Sequence, residues 1–498
     1  MVLAIVHSRA QCGLDAPPVT VEAYVGAGLP GFSLVGLPAT AVRESRDRVR
    51  AALLTCGFRF PDGKVIVNLA PADLPKEGGR FDLPIALGVL AASGQVPYQA
   101  LHAAEFLGEL SLNGDLRPVH APLCAAIAAA RRGRVLVLTS ASAEEAAVAG
   151  EGEVRGARHL LEVVAHLKGR QTLPKVAAPS RGPAAVCDDP DLSEVRGQLR
   201  GRRLLELDAA GGHNLLFVGP PGTGKTMLAQ RLPGLLPPLD SRAALEVATI
   251  ASAAGRSFRA VDWARRPFRA PHHSASSVAL TGGGSNPRPG EVTLAHHGVL
   301  FLDELPEFNR AALEALRQPL EEGQLTISRA ATQRTFPARF VLVAAMNPCP
   351  CGHLGDPKGD CRCSADAVLR YRRRISGPLL DRIDLVADMP RPSPQELLGP
   401  PGEDSASVRR RVHRVRDASV ARQGGLNARL EGRALDRHAA LGPAERVLLA
   451  RSAEQLGLSA RGQTRARRVA RTIADFEGEE GIAVRHLAEA LACRGLPR

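Results

Sequence analysis

LLFVGPPGTGKTMLAQRL, residues 215–232, sets an apolar strand, a glycine-rich turn and a helix in immediate succession. The turn Gly219–Thr226 fits the pattern G-x-x-x-x-G-K-[ST]. In such a loop the glycines let the backbone wrap round a phosphate chain, and the helix that follows aims its positive end at the charge. The expected nucleotide contacts are Gly219, Pro220, Pro221, Gly222, Thr223, Gly224, Lys225, Thr226 and Met227. Lys225 reaches the β- and γ-phosphates, and Thr226 binds Mg²⁺. Strand before and helix after make an accidental match improbable, so ATP and Mg²⁺ are the expected cofactors.

Working outward, HGVLFLDELPEF at 297–308 is a buried strand that ends on two adjacent carboxylates. Asp303 would complete the Mg²⁺ shell and Glu304 would polarise the attacking water. FVLVAAMNPCP at 340–350 ends another strand on Asn347, whose amide can orient that water. ISGPLLDRIDLV at 375–386 places Arg382 after a short apolar turn. Arg382 is either an internal ion-pair partner or an arginine finger for a neighbouring subunit's γ-phosphate. The second role requires a ring or at least a dimer.

The 498 residues suggest about three domains. An α/β region at 1–168 reads with strands at 19–25, 64–70 and 135–139 and helices at 39–54, 84–92 and 121–132. A proline-rich linker at 169–190, the ATPase core at 191–395 and an arginine-rich helical region at 405–498 follow. No run of about 18 apolar residues occurs, which disfavours a membrane span. The N-terminus carries no basic leader before its short apolar run, so a cytoplasmic protein is expected. Net charge is +13, with 58 arginines against six lysines. That excess points either to a polyanionic partner or to solubility alone.

Four of nine cysteines crowd into CPCGHLGDPKGDCRC, residues 349–363. Cys349, Cys351, Cys361 and Cys363 could close a tetrahedral, structural Zn²⁺ site, with His353 as a substitute ligand. Local disulfides or free thiols are the alternatives. Two basic stretches offer phosphate contacts: TGGGSNPRPGE at 281–291 with Arg288, read as an exposed loop, and the hairpin at 323–340 with Arg329 and Arg334. The basic lid runs at 407–416 and 460–471 read more simply as packed or solvated helix faces. His272–His273 and His296–His297 read as loop and strand-edge residues that position the insertion, with a second metal site the alternative. One Trp and three Tyr disfavour base stacking as the main grip on DNA.

GPPGTGKT, LFLDE, AAMNPCPCG and RISGPLLDRID, in that order, resemble the magnesium-chelatase-related branch of AAA+ ATPases, and more narrowly the YifB/ComM family. Likeness extends to GLPATAVRESRDRVRAAL at 36–53, VNLAPADLPKEGGRFDLPIALGVLAASG at 67–94 and LSARGQTRARRVARTIADF at 458–476. It implies an N-terminal Lon-protease-like (ribosomal S5 domain 2-like) α+β domain, a central AAA+ P-loop α/β domain and a C-terminal α-helical lid. It also implies a homo-hexameric ring whose insertion at 281–291 faces the pore, with DNA and possible recombination proteins as partners. Arg461 resembles the sensor-2 arginine that touches nucleotide when the lid closes, with Arg465 the fallback. Arg80 and Leu123 stand where the Lon family carries its Ser and Lys, so proteolysis is not expected. The implied function is a DNA helicase or branch-migration motor in natural transformation and recombination. The alternatives are a chelatase-type ATPase that remodels a partner for metal insertion, or a nucleotide-dependent scaffold. No D-x-S-x-S motif occurs, against the chelatase, and intact Glu304, Asn347 and Arg382 argue against a passive scaffold.

Overall fold

The computed structural model describes residues 3–36, 40–178, 189–256, 258–284, 286–329, 332–356 and 359–495. VTVEAYV and KVIVNLA alternate inward and outward side chains, burying Val19, Val21 and Ala23 beside Val65, Val67 and Leu69. Their strands, Pro18–Gly26 and Lys64–Ala70, belong to a seven-stranded mixed sheet. Its spatial order is Gly31–Val35, Lys64–Ala70, Pro18–Gly26, Leu3–Arg9, Ala104–Phe106, Val135–Thr139 and Val154–Ala157. The wholly buried helix Asp82–Ala92 packs on the strands at its centre. Gly88 permits that approach, because a Cβ there would lie 2.9 Å from Ala23 Cβ. The Arg80 and Leu123 segments meet, since Arg80 donates to the His120 carbonyl at 3.3 Å.

LLFV, VLFL and VLVAAM are continuous apolar runs, the pattern of strands buried on both faces of a parallel sheet. The core sheet is five-stranded, in the order Phe268–Arg269, Val299–Leu302, Val341–Met346, Leu215–Val218 and Leu385–Asp388. Every neighbouring pair runs parallel. Val218 pairs with Met346, and Leu302 with Ala344. Parallel strands in this register bring Gly219, Asp303 and Asn347 to one edge.

The C-terminal helices Ser405–Gln423, Ala460–Glu477 and Val484–Ala492 share one apolar core with the parallel-sheet domain. Val412, Val469 and Leu487 join Leu204, Leu228 and Leu232 in it. Many lid arginines are internal, as one of the two readings of those basic runs expects. Arg411 pairs with Glu206 and Glu403, Arg465 with Asp384, and fully buried Arg471 with Asp475. Arg416 donates to the Ala209 carbonyl.

Three readings of the sequence change. The expected linker begins as ordered chain: Leu173 is buried, and Val176 N–H donates to Val154 O at 2.9 Å, adding an edge to strand Val154–Ala157. Residues 179–188 of that linker lie outside the described residues. The core boundary at 395 falls inside the short helix Pro394–Leu398, which Ser393 and Glu396 cap reciprocally. The expected exposed loop at 281–291 contains paired strands, Gly282–Gly283 with Arg288–Pro289, and Asn286 Nδ2 bonds the Gln11 carbonyl of the N-terminal domain at 3.1 Å. Ser285 and residues 37–39, 330–331 and 357–358, which fall within motifs quoted above, lie outside the described residues.

The N-terminal domain is docked firmly on the core. Cys124 and Leu123 pack with Ala248 and Ala253 of helix Ser241–Ala253 in one apolar cluster. Leu123 N–H donates to Ser252 Oγ at 3.4 Å. No described helix is long and apolar enough to cross a membrane.

Candidate nucleotide and metal sites

Gly224 takes φ +88, a left-handed value that costs glycine little, and so turns the loop into helix Lys225–Leu235. Gly219 lies so close to the Met389 carbonyl that a Cβ would fall 2.2 Å from its oxygen. Lys225 Nζ donates to the carbonyls of Gly219 and Pro220 at 2.6 and 2.8 Å, and to Asn347 Oδ1 at 3.2 Å. Burial pulls this ammonium down to about 8, while Asp303 and Glu304 pull the other way. A phosphate placed beside Lys225 would favour its charged form. Thr226 Oγ1 donates to Asp303 Oδ2 at 2.8 Å, so the two expected Mg²⁺ ligands already touch. Met227 is 42% exposed on the first turn of the helix.

Glu304 is exposed and takes φ +53, an uncommon value for a non-glycine residue. Asp303 Oδ1 accepts from its amide at 2.9 Å. Its carboxylate lies 2.9 Å from His273 Nδ1. The sequence reading placed His273 in a loop beside the insertion and missed this contact; only its position a few residues past strand Phe268–Arg269 hinted at it. Tyr371 was also missed. It is buried, packs in the apolar cluster that holds Leu302 and Met346, and burial raises its phenol to about 12. The other histidine pair converges on Glu246, at 3.1 Å from His296 and 2.8 Å from His297.

The four thiols of Cys349, Cys351, Cys361 and Cys363 lie within 4.8 Å of one another. Sγ–Sγ distances of 3.4, 3.7 and 3.7 Å among the first three are too long for disulfide bonds. They match the edges of a tetrahedron, since thiolates about 2.3 Å from a zinc stand about 3.8 Å apart. The His353 amide and the Cys349 thiol hold Cys351 below the usual thiol range, while the neighbouring thiols push Cys361 and Cys363 above it, so Cys351 is the thiol of the cluster readiest to ionise. His353 stands outside this set, 3.6 Å from Asp356. Gly352, at φ +84, presses this loop against the phosphate loop: a Cβ there would lie 2.9 Å from Pro221 Cδ.

Arg382 and Arg461 lie elsewhere. Asp384 and Leu385 amides bond the Asn214 carbonyl at the entry of the P-loop strand. Four residues at about 3.3 Å each then separate that edge from the phosphate loop. Arg382 is buried there, ion-paired with Glu321 and donating to Pro378 O. Arg461 approaches the same Glu321 at 3.4 Å, and Arg465 bonds Asp384 at 2.7 Å. In the single chain both Arg461 and the fallback Arg465 are engaged by carboxylates at this edge, Glu321 and Asp384, away from the phosphate loop. Of the expected DNA contacts, Arg288 is exposed on the first hairpin. Arg334 is half-buried in contact with Cys12 of the N-terminal domain, and so is not the free surface cation expected. The side chain of Arg329 lies outside the described residues.

Residues 191–397 match the family described as magnesium chelatase, subunit ChlI. Residues 21–142 match subunit ChlI of Mg-chelatase, and 402–494 its C-terminal region. The chain is 48% identical over 501 residues to the protein YifB of Salmonella typhimurium, across 100% of this chain and 98% of that protein. It is 48% identical over 504 residues to competence protein ComM of Haemophilus influenzae, again across 100% and 98%. A shorter likeness, 25% over 175 residues, is to DNA replication licensing factor mcm6 of Dictyostelium discoideum, covering 35% of this chain and 17% of that protein.

Two outcomes follow from this geometry. Glu304→Gln should bind ATP with affinity near wild type but lower the hydrolysis rate by at least about 100-fold, measured as nucleotide binding beside phosphate release. Elemental analysis should find one zinc per chain, lost in Cys361→Ser, and removal of the metal should loosen the phosphate loop through Gly352, read as weaker ATP binding.

Proposed function

The chain belongs to the magnesium-chelatase-related family of YifB and ComM, and from that premise we propose an ATP-hydrolysing AAA+ ring that moves on DNA. The observation that carries the reading is the division of the catalytic groups. Phosphate loop, Asp303, Glu304 and Asn347 share one edge of the core sheet. Arg382 and Arg461 sit together on Glu321 at the other. A chain so built holds half of one site and half of the next, which suits a closed ring, taken here as a hexamer. In it Arg382 acts as a trans finger on a neighbour's γ-phosphate, and Arg461 works beside it across the same interface rather than on its own nucleotide. Glu321 is displaced as the neighbour docks. Thr226 and Asp303 hold Mg²⁺, which supplies charge neutralisation at the phosphates.

DNA as the substrate is supported by the likeness to a competence protein and to a replication licensing factor, together with exposed Arg288 on the core insertion. Branch migration or unwinding during uptake and recombination of DNA is the activity we favour. We read the N-terminal sheet as a Lon-like domain without the Ser–Lys dyad, serving as a docking platform, and the cysteine cluster as a structural zinc site that braces Asn347.

ATPase rate should rise severalfold with single-stranded or four-way-junction DNA at low salt and fall back at higher salt, as phosphate contacts by arginines require. A rate indifferent to every DNA would favour the chelatase-type alternative, an ATPase that remodels a protein partner. The trans geometry has its own check. Arg382→Ala and Glu304→Gln should each be inactive alone, yet an equimolar mixture should recover up to about a quarter of wild-type turnover, from interfaces that pair the intact halves.

A further inference from the structure

Three separate segments bring cations to one corner of the N-terminal sheet. His7 stands opposite Glu105 where Leu3–Arg9 pairs with Ala104–Phe106. Val135 N–H donates to Ala103 O at 3.2 Å, which sets the turn at 131–134 beside His102. Burial pulls His7 down to about 4, and Arg134, His102 and Arg132 push it the same way, with no carboxylate acting against them. Arg132 and His102 are exposed, and among the described residues neither forms an ion pair. The carboxylates of this corner are engaged: Glu105 is buried against Arg9, with Arg134 at 3.8 Å, and Glu153 is held by Arg155 at 2.6 Å. Exposed Glu151, on the turn that meets Ala130, pairs with none of these cations. Like charges gathered without acids make a positive field that a polyanion relieves. Of the chain's three tyrosines, Tyr98 alone is exposed, at 43%. Its ring meets that of His102 edge-on, with centroids 5.5 Å apart. An exposed ring beside arginines is the pairing that holds a single strand, the ring stacking on a base and the cations lying on phosphates.

We propose that this corner of the N-terminal domain binds single-stranded DNA, with Arg132 and Arg134 on its phosphates and Tyr98 stacked on one unpaired base. The inference rests on the DNA reading above and names a second point of contact, on a different domain from Arg288. Duplex DNA gains the phosphate contacts alone, because its bases are already stacked on one another. One ring suits a chain with a single Trp and three Tyr, in which arginines carry most of the grip. Helix Pro122–Ala130 leads directly into the turn that carries Arg132, and it packs on Ser241–Ala253 of the core. A strand held at Arg132 therefore pulls on the helix that docks this domain.

The test uses the full chain with a non-hydrolysable ATP analogue and Mg²⁺. Binding of a fluorescent single-stranded oligonucleotide, and of a duplex of the same sequence, is followed by anisotropy over a range of salt concentrations. Arg132→Ala should reduce the slope of log affinity against log salt by about 0.7 on the single strand, the loss of one phosphate contact. Tyr98→Ala should weaken single-strand binding at least about fivefold, with the salt slope and the duplex affinity as in the wild type, and Tyr98→Phe should restore it. Both side chains are exposed, so neither variant disturbs the core. Arg433→Ala, an equal loss of charge on an exposed lid residue, should leave single-strand affinity and slope unchanged. No single-strand binding by the wild type would overturn this proposal together with the DNA reading. Wild-type binding that Arg132→Ala and Tyr98→Ala leave unaltered, or that Arg433→Ala weakens as much as Arg132→Ala does, would overturn this proposal alone.

Discussion

The polarity of five parallel strands is the constraint on which the rest of this molecule depends. Leu215–Val218 lies between Val341–Met346 and Leu385–Asp388, and hydrogen-bonded register leaves no freedom in which residues emerge at either edge. At one edge the chain leaves the sheet as Gly219, Asp303 and Asn347. At the other it enters as Asn214, Asp384 and, just before them, Arg382. A slip of one residue would turn Phe217 from one apolar cluster toward the other and carry the phosphate loop away from Asp303. The strands are buried on both faces, so such a slip is opposed by the whole core.

That polarity explains why the charged groups divide as they do. Thr226 and Asp303 touch before any metal is considered, and Lys225 lies against Asn347. Arg382 and Arg461 share one carboxylate at the far edge. Buried Arg382 with Glu321 is an intramolecular pair in the single chain, so both readings of Arg382 describe it in turn. The single chain shows the ion pair, and in the proposed ring the trans contact would exchange Glu321 for a phosphate.

The catalytic strands were legible because each is a short apolar run that stops on a functional residue, a local signal. Three of the seven strands of the N-terminal sheet and its buried helix were legible for the same reason, through alternation and continuous apolar runs. What stayed hidden are contacts between distant segments. Nothing near Glu304 announces His273, thirty-one residues earlier, and nothing near Arg382 announces Glu321. Composition left the choice open in a similar way. An excess of arginine reads equally as a polyanion-binding surface or as solubility, and Arg411, Arg416, Arg465 and Arg471 are committed to carboxylates and helix-end carbonyls of the fold. Charge totals carry no information on which cations are already paired. The hairpin at 324–337 was foreseen, but its docking was not, because a β-hairpin looks the same in sequence whether it is free or lies against another domain.

Contacts to the N-terminal domain change what that domain is for. Its helix Pro122–Ala130 packs on Ser241–Ala253, its Gln11 holds Asn286, and its Cys12 meets Arg334. Both hairpins that the core extends are therefore touched by the same domain. Helix Ser241–Ala253 in turn carries Glu246, which gathers His296 and His297 one turn ahead of the strand that ends at Asp303. A displacement of the N-terminal sheet would be felt at the hairpins and, through that helix, beside Asp303 and Glu304. In the proposed cycle Lys225 and Glu304 supply the chemistry, and these packed contacts are a physical route by which a partner bound at the periphery could alter it.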